Sequence, residues 1–182
     1  MKTDVSQTLV AEHRLILRMI ALLEKNAPLT AEGRYCNWQF YQDGIDFIRQ
    51  YADRFHHAKE EDVLFQALID NGMPKEHSPV AAMLMEHDQG RTFVRAMEAA
   101  VHEAQAGSAD AFQAVAENAL GYAALLRDHI EKEDEILYPL AERVLPEAVR
   151  AGILQGYQAA ESQASAEIGE HYELIVRHYE QE

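Results

Sequence analysis

Cysteine is almost absent from this chain, with Cys36 the only one in 182 residues. No intrachain disulfide can form, and neither a thiolate zinc site nor an iron–sulfur cluster can be assembled. Any metal must therefore be held by imidazole and carboxylate. Cationic side chains are also scarce, 16 lysines and arginines against 31 aspartates and glutamates, for a formal net charge of -15. Such a balance repels nucleic-acid phosphates and anionic membrane surfaces, so neither partner is expected. Bound cations would offset part of the charge. No run approaches the roughly 18 apolar residues of a membrane span, and residues 1–8 lack the apolar centre of a signal peptide, so a cytoplasmic location is expected. Period-two alternation is missing as well, which argues against strands.

What is present is a helical pattern in a chain of 48% hydrophobic and 26% charged residues, enough for one domain with a sizeable core. From Val5 to about Asn26, the residues Leu9, His13, Ile16, Ile20 and Leu23 recur in steps of four and three. Asn26-Ala27-Pro28 should end that helix. A long second helix is expected over 38–70, stopped by Asn71-Gly72-Met73-Pro74. Its inward stripe reads Tyr41, Ile45, Ile48, Ala52, His56 and Glu60, then Val63 and Ala67. Ser78-Pro79 reads as an N-cap and first helical residue of a third helix. That helix turns Val80, Met83, His87, Gly90, Val94, Met97 and Val101 inward. After a turn at 106–110, a fourth helix carries Val115, Ala119, Tyr122, Leu126, His129, Glu133, Ile136 and Leu140, with Pro139 and Pro146 marking its kink or end.

Four long helices joined by short turns make an all-α, antiparallel four-helix bundle the natural architecture. Residues 1–146 would form it. Residues 147–182 would add a C-terminal helical extension that either caps the bundle or joins a homodimer.

Each of the four stripes contains a histidine: His13, His56, His87 and His129. One alone reads as a hydrogen-bonded core residue. Four on four stripes point to a shared ligand, and a metal is the commonest reason to bury so many polar groups together. His56 and Glu60 are four residues apart, as are His129 and Glu133, so each pair lies on one helical face about a turn apart. Eight residues beyond each of these histidines comes a leucine followed by an aromatic, Leu64-Phe65 and Leu137-Tyr138. This local repeat aligns Glu60, not Glu61, with Glu133, although His57 and Glu61 also form a pair four apart. The neighbouring charges at 59–62 and 131–135 are expected to be mostly a solvated face. His57, turned about 100° from His56, is either a surface residue or a ligand to a second metal.

The set Glu12-His13-Arg14, Phe55-His56-His57-Ala58-Lys59-Glu60-Glu61-Asp62-Val63-Leu64-Phe65, Met85-Glu86-His87 and His129-Ile130-Glu131-Lys132-Glu133-Asp134, in this order, resembles the hemerythrin-like cation-binding domains. The resemblance spans roughly residues 5–145. It implies a four-helix bundle around a non-haem di-iron centre, with His13, His56, His57, His87 and His129 as imidazole ligands and Glu60 and Glu133 as bridging carboxylates. On that reading Glu60→Ala removes a bridge while Glu61→Ala is nearly silent. The oxygen carriers of the family place two histidines four apart on the third helix, but here Met83 and Arg91 flank His87 at that distance. Reversible oxygen storage is therefore not expected, and the bacterial and F-box-associated branch is the better match. Ferritin-like di-iron proteins use Glu-x-x-His motifs, and no histidine here has a glutamate three residues before it. Zinc is the poorer alternative to a pair of irons.

The expected function is the binding of dioxygen, nitric oxide or peroxide at an open iron position, for sensing, scavenging or iron handling. A metal-dependent regulatory module acting through the acidic extension is the rival from another class. Peroxide disproportionation is a third reading that no residue selects.

Overall fold

The structure, a computed structural model, describes residues 3–182, and among them every regular element is helical. The first helix, α1, spans Gln7–Ala31 and continues one turn past Pro28, where the sequence pattern would end it. A proline removes a single donor, and that last turn is pinned independently. Buried Thr30 Oγ1 bonds the Asn26 carbonyl at 3.2 Å, the Tyr35 carbonyl at 2.9 Å and the Tyr41 hydroxyl at 2.7 Å. The chain turns instead at Gly33, whose φ of +69° suits a residue without a Cβ.

The second helix is continuous over 38–70 but not uniform. An α-helical start, α2 (Trp38–Phe47), passes into two π-helical stretches, π1 (Ile48–His57) and π2 (Glu60–Leu64), before α3 (Phe65–Asp70). Asn37 caps its start by accepting from the Phe40 N–H at 3.2 Å. The third helix, α4 (Pro79–Gln105), is capped by Ser78, which accepts from the Ala81 N–H at 3.2 Å. The fourth runs as α5 (Ala111–Lys132), π3 (Glu133–Leu137) and α6 (Tyr138–Val144). Pro139 does not break it. It sits where hydrogen bonding returns from the wide π turn to the α turn, a junction that leaves one carbonyl without a donor in any case. Leu145, extended before Pro146, ends the helix. Two more helices follow, α7 (Glu147–Glu161) and α8 (Ile168–Glu180). No helix is long and apolar enough to cross a membrane.

The π turns decide which residues face inward. On the second helix one buried stripe runs Ile48, Ala52, His56, Glu60, Leu64 and Leu68, all in steps of four. Five such steps on an ideal α-helix would carry the stripe roughly 200° around the axis. Bonds of the i→i+5 type, such as Phe65 N–H to the Glu60 carbonyl, widen the turn and cancel the drift. The same happens after Glu133, where Tyr138 N–H bonds the Glu133 carbonyl. The expected inward residues Val63, Ala67, Ile136 and Leu140 are consequently off by one position. Leu64, Leu68, Leu137 and Ala141 are buried in their place, and Ile136 is 58% exposed.

Apolar side chains fall into two separate clusters. One joins α1, α2, π1, α4, α5 and α8 through residues such as Ile16, Phe40, Tyr51, Met97 and Val176. The other gathers Leu9, Leu64, Phe65, Met83, Leu137 and Ile153. On each of the four long helical runs, the histidines and glutamates lie between a residue of one cluster and a residue of the other. The C-terminal helices pack on both. Tyr172 and Tyr179 of α8 donate to Asp46 and Asp43 at 2.7 and 2.6 Å, and Arg18 bonds Glu173 and Glu180. Arg150 of α7, fully buried, ties the Thr3, Glu142 and Leu145 carbonyls and the Glu142 carboxylate together.

Helix α7 approaches π2 so closely that a Cβ at Gly156 would lie 2.7 Å from Val63 Cγ1, whereas a Cβ at Gly152 meets nothing within 4 Å. Both alanine substitutions gain helix propensity, about 1 kcal/mol. Only one overpacks against a stiff, β-branched neighbour. In denaturant titrations Gly152→Ala should therefore stabilise the protein, and Gly156→Ala should be less stable than Gly152→Ala by about 1–3 kcal/mol. Equal midpoints would place α7 away from π2.

Candidate metal centre

Between the two apolar clusters lies a layer of buried polar groups. It holds His13 from α1, His56 and His57 from the end of π1, His87 from α4 and His129 from α5. Glu60 and Glu133 join it as the first residues of π2 and π3, each wholly inaccessible.

These seven side chains form two half-sites. In one, His13 Nε2 and His56 Nε2 are 3.0 Å apart. Glu133 Oε2 lies 3.4 Å from His13 Nε2 and Glu60 Oε2 lies 3.6 Å from His56 Nε2. In the other, His87 Nε2 and His129 Nε2 are also 3.0 Å apart. Glu60 Oε2 is 3.5 Å from His87 Nε2, and Glu133 Oε1 is 3.1 Å from His129 Nε2. The His57 ring stacks on that of His87 with centroids 3.7 Å apart. Glu60 Oε2 thus faces both halves, and Glu133 sends one oxygen to each. Two ligand sets of metal-holding size result, His13–His56–Glu60–Glu133 and His57–Glu60–His87–His129, sharing Glu60.

Every one of these imidazoles has a carboxylate at its outer nitrogen. Nδ1 meets Asp134 at 2.9 Å in His13, Glu12 at 2.8 Å in His56, Glu61 at 2.7 Å in His87 and Glu86 at 2.9 Å in His129. His57 Nδ1 is 3.4 Å from Asp53. A carboxylate there accepts the Nδ1–H and turns the Nε2 lone pair inward, the tautomer and orientation a metal requires. The outer carboxylates are held in turn: Glu12 by buried Lys59, Glu86 by Lys132, and Asp53 and Glu61 by Arg91 at 2.6 and 2.7 Å.

Burial and the two glutamates set the charge of the layer. Burial drives the pKa values of His56 and His57 well below the usual imidazole range, leaving both neutral. Burial also raises the Glu60 carboxyl, and the neighbouring Glu133 raises it further. Against the same burial, the His129 and His13 imidazoles hold Glu133 ionised. On His13, burial is outweighed by Asp134 and Glu133, and its pKa is pushed up to about 9. None of the contacts to Glu60 Oε2 or to either Glu133 oxygen has hydrogen-bond geometry, so three buried carboxylate oxygens have no partner. Leaving such atoms unsatisfied costs on the order of 1–3 kcal/mol each or more. A cation between the imidazole lone pairs would satisfy all three.

The two halves are related by an internal repeat. Glu12-His13 corresponds to Glu86-His87, and His56 to Glu61 corresponds to His129 to Asp134. Phe65 stacks on His87 and Tyr138 on His13, at 6.0 and 5.7 Å between centroids. Two of the differences between the halves fall on the layer itself. His57 has Ile130 as its counterpart, and the Tyr138 hydroxyl, absent from Phe65, donates to Glu60 Oε1 at 2.5 Å.

All seven residues singled out in the sequence meet in this layer. Glu61 stands outside it, yet it is not a bystander, because it bonds His87 and Arg91. The charged flanks are likewise not a plain solvated face: Lys59 is fully buried and Asp134 holds His13. Helical phase could not reveal these contacts, since each partner comes from another helix. The repeat of Glu immediately before His13 and His87 was the available signal. Asp53, His57 and Glu61 also come within metal-holding distance of one another, but Arg91 already pairs both carboxylates. His77, His102, His171 and His178 are exposed and take no part.

Residues 4–141 match the family model of the hemerythrin HHE cation binding domain. Neither the comparison with curated proteins nor that with solved structures gave a match.

The outer carboxylates generate a prediction that differs from the sequence expectation. Glu61→Ala removes the partner of His87 Nδ1 and should weaken metal affinity by about 10–100-fold in chelator competition. Exposed Glu131 serves as the control, and Glu131→Ala should leave affinity unchanged. Equal affinities in the two variants would show that the Glu61–His87 bond does not orient the ring.

Proposed function

The chain belongs to the hemerythrin HHE cation-binding family, and we propose that its buried layer is a carboxylate-bridged di-iron centre that binds dioxygen, nitric oxide or peroxide. The observation that carries this reading is the trio of unpartnered oxygens on Glu60 and Glu133, fully buried between two pairs of inward-facing imidazoles. His13 and His56 would hold one iron, His57, His87 and His129 the other, and Glu60 and Glu133, which face both halves, would be shared between them. Residues 1–146 make up the antiparallel four-helix metal domain and 147–182 its extension.

Iron is favoured over zinc by the donor set: five imidazoles and two shared carboxylates exceed what four-coordinate zinc takes in a closed site and suit a pair of six-coordinate irons. When bound, iron supplies an open coordination position and redox equivalents.

The residues divide the remaining work. The half built on His13 and His56 has one imidazole fewer, since Ile130 stands where a partner to His57 would be, so a metal held there would keep a position free for a small ligand. The Tyr138 hydroxyl, hydrogen-bonded to Glu60 and 3.4 Å from His13 Nε2, offers its proton on that side. Burial and the two glutamates raise its pKa far above the ordinary phenol value, which keeps it a donor. The apolar clusters above and below bury His13 and His56 almost completely and exclude bulk water from that half.

A second reading, a regulatory module in which metal occupancy is transmitted to a partner surface, is favoured by one contact. Lys59 joins Glu12, the partner of His56, to Glu161 at the end of α7 with a 3.0 Å bond, so the extension touches the centre through a single buried cation.

Ferrous loading should give two irons per chain by elemental analysis, and air or nitric oxide should then produce new charge-transfer absorption. A stoichiometry of one or less sinks the di-iron reading. Because only the folded state assembles the site, metal at 100 times its dissociation constant should add about 2.7 kcal/mol to unfolding stability. Glu60→Ala should lose the second iron, and retention of both would remove Glu60 from its bridging role.

A further inference from the structure

A cavity of about 270 Å³ opens from the surface between the second helix, α4 and α5 and ends on the His57, His87 and His129 rings. Asp53 and Glu86 also line it, and they hold the Nδ1 edges of His57 and His129, so the cavity meets the outer side of the metal layer. It is far larger than a diatomic ligand needs. Ile48, Val94 and Leu126 give it an apolar wall, and Gly90 leaves room beside the Tyr122 ring.

Its charge runs against that of the whole protein. Arg49, Arg54, Arg91 and Arg95 line it, against the two carboxylates already engaged with His57 and His129, in a chain of net charge -15. Arg49 is neutralised by Glu98, and Arg91 by Asp53, Glu61 and Asp88. Arg54 and Arg95 have only neutral partners, Gln50 and Thr92, so their charges face the opening uncompensated. Inside, the hydroxyl of buried Tyr122 has no hydrogen-bond partner. One cavity thus brings together a buried donor without an acceptor, two guanidinium groups without a carboxylate and an apolar wall, a lining that an amphipathic anion would satisfy.

We propose that this cavity binds a small organic carboxylate, its charge taken by Arg54, Arg95 and the Tyr122 hydroxyl and its body by Ile48, Val94 and Leu126. The inference does not rest on the di-iron reading, because the residues that recognise the anion are not metal ligands. If both hold, the bound carboxylate presses on the outer edge of the second half-site and its occupancy alters that half's spectrum.

Calorimetric titration of the full chain with benzoate tests the proposal, with neutral benzamide as the matched control. Benzoate should bind once per chain, with or without metal, and benzamide about tenfold more weakly or not at all. Arg95→Gln, at an exposed position, should weaken benzoate about tenfold. Tyr122→Phe should weaken it severalfold while raising the melting temperature of the ligand-free protein, since it deletes an unsatisfied buried hydroxyl. No saturable heat up to the solubility limit of benzoate would overturn the proposal, as would equal binding of benzamide or unchanged affinity in both variants. Binding that vanishes on metal removal would also overturn it, by making the carboxylate a metal ligand.

Discussion

The structure turns on a layer of five imidazoles and two carboxylates placed where an uninterrupted apolar core would be expected. Such a layer divides the hydrophobic interior in two and leaves three carboxylate oxygens without hydrogen bonds. Burial of that kind is tolerated when a cation compensates it, and the rest of the fold is arranged to deliver the ligands to one place. Each long helical run crosses the layer once, and each contributes at least one nitrogen or oxygen at the crossing.

Delivery requires the helices to depart from regular geometry. A histidine and a glutamate four residues apart, with buried residues continuing at the same spacing on both sides, cannot all remain on one face of an α-helix. The π turns at Ile48–His57, Glu60–Leu64 and Glu133–Leu137 hold them there. Two of these begin on the glutamates that face both halves. Beyond the ligand atoms, each imidazole is fixed by a carboxylate from a different helix or a different turn, and each carboxylate except Asp134 pairs with a cation, Asp53 and Glu61 sharing Arg91. One link to the C-terminal helices runs through this shell, from Glu161 to Lys59 to Glu12 to His56.

Internal repetition makes the departures informative. Where one half has His57, the other has Ile130, and where one has the Phe65 ring, the other has the Tyr138 hydroxyl against Glu60. The half with fewer imidazoles is therefore also the half with an added proton donor. On the opposite side, the His57 half faces the arginine-lined cavity. The two faces of the centre are thus chemically distinct, one polar and closed, the other cationic and open.

Sequence alone determined the helical class, most helix limits and six residues of the layer, because helical phase and spacing are local properties that the chain carries in its own order; His57 joined them only through the resemblance to the family. His56 with Glu60 and His129 with Glu133 were legible as chelating pairs for that reason. Other features were decided only by tertiary structure. The inward register beyond Glu60 and Glu133 shifted by one residue because packing, not propensity, selects a π turn. Helix α1 outran Pro28 because Thr30 found partners across the loop. The carboxylates behind the histidines, Glu12 for His56 and Asp134 for His13, stand 44 and 121 residues from the rings they orient. Lys59 reads as a surface charge until Glu12 and Glu161 close over it. Pairings between distant helices exist only once the helices have met.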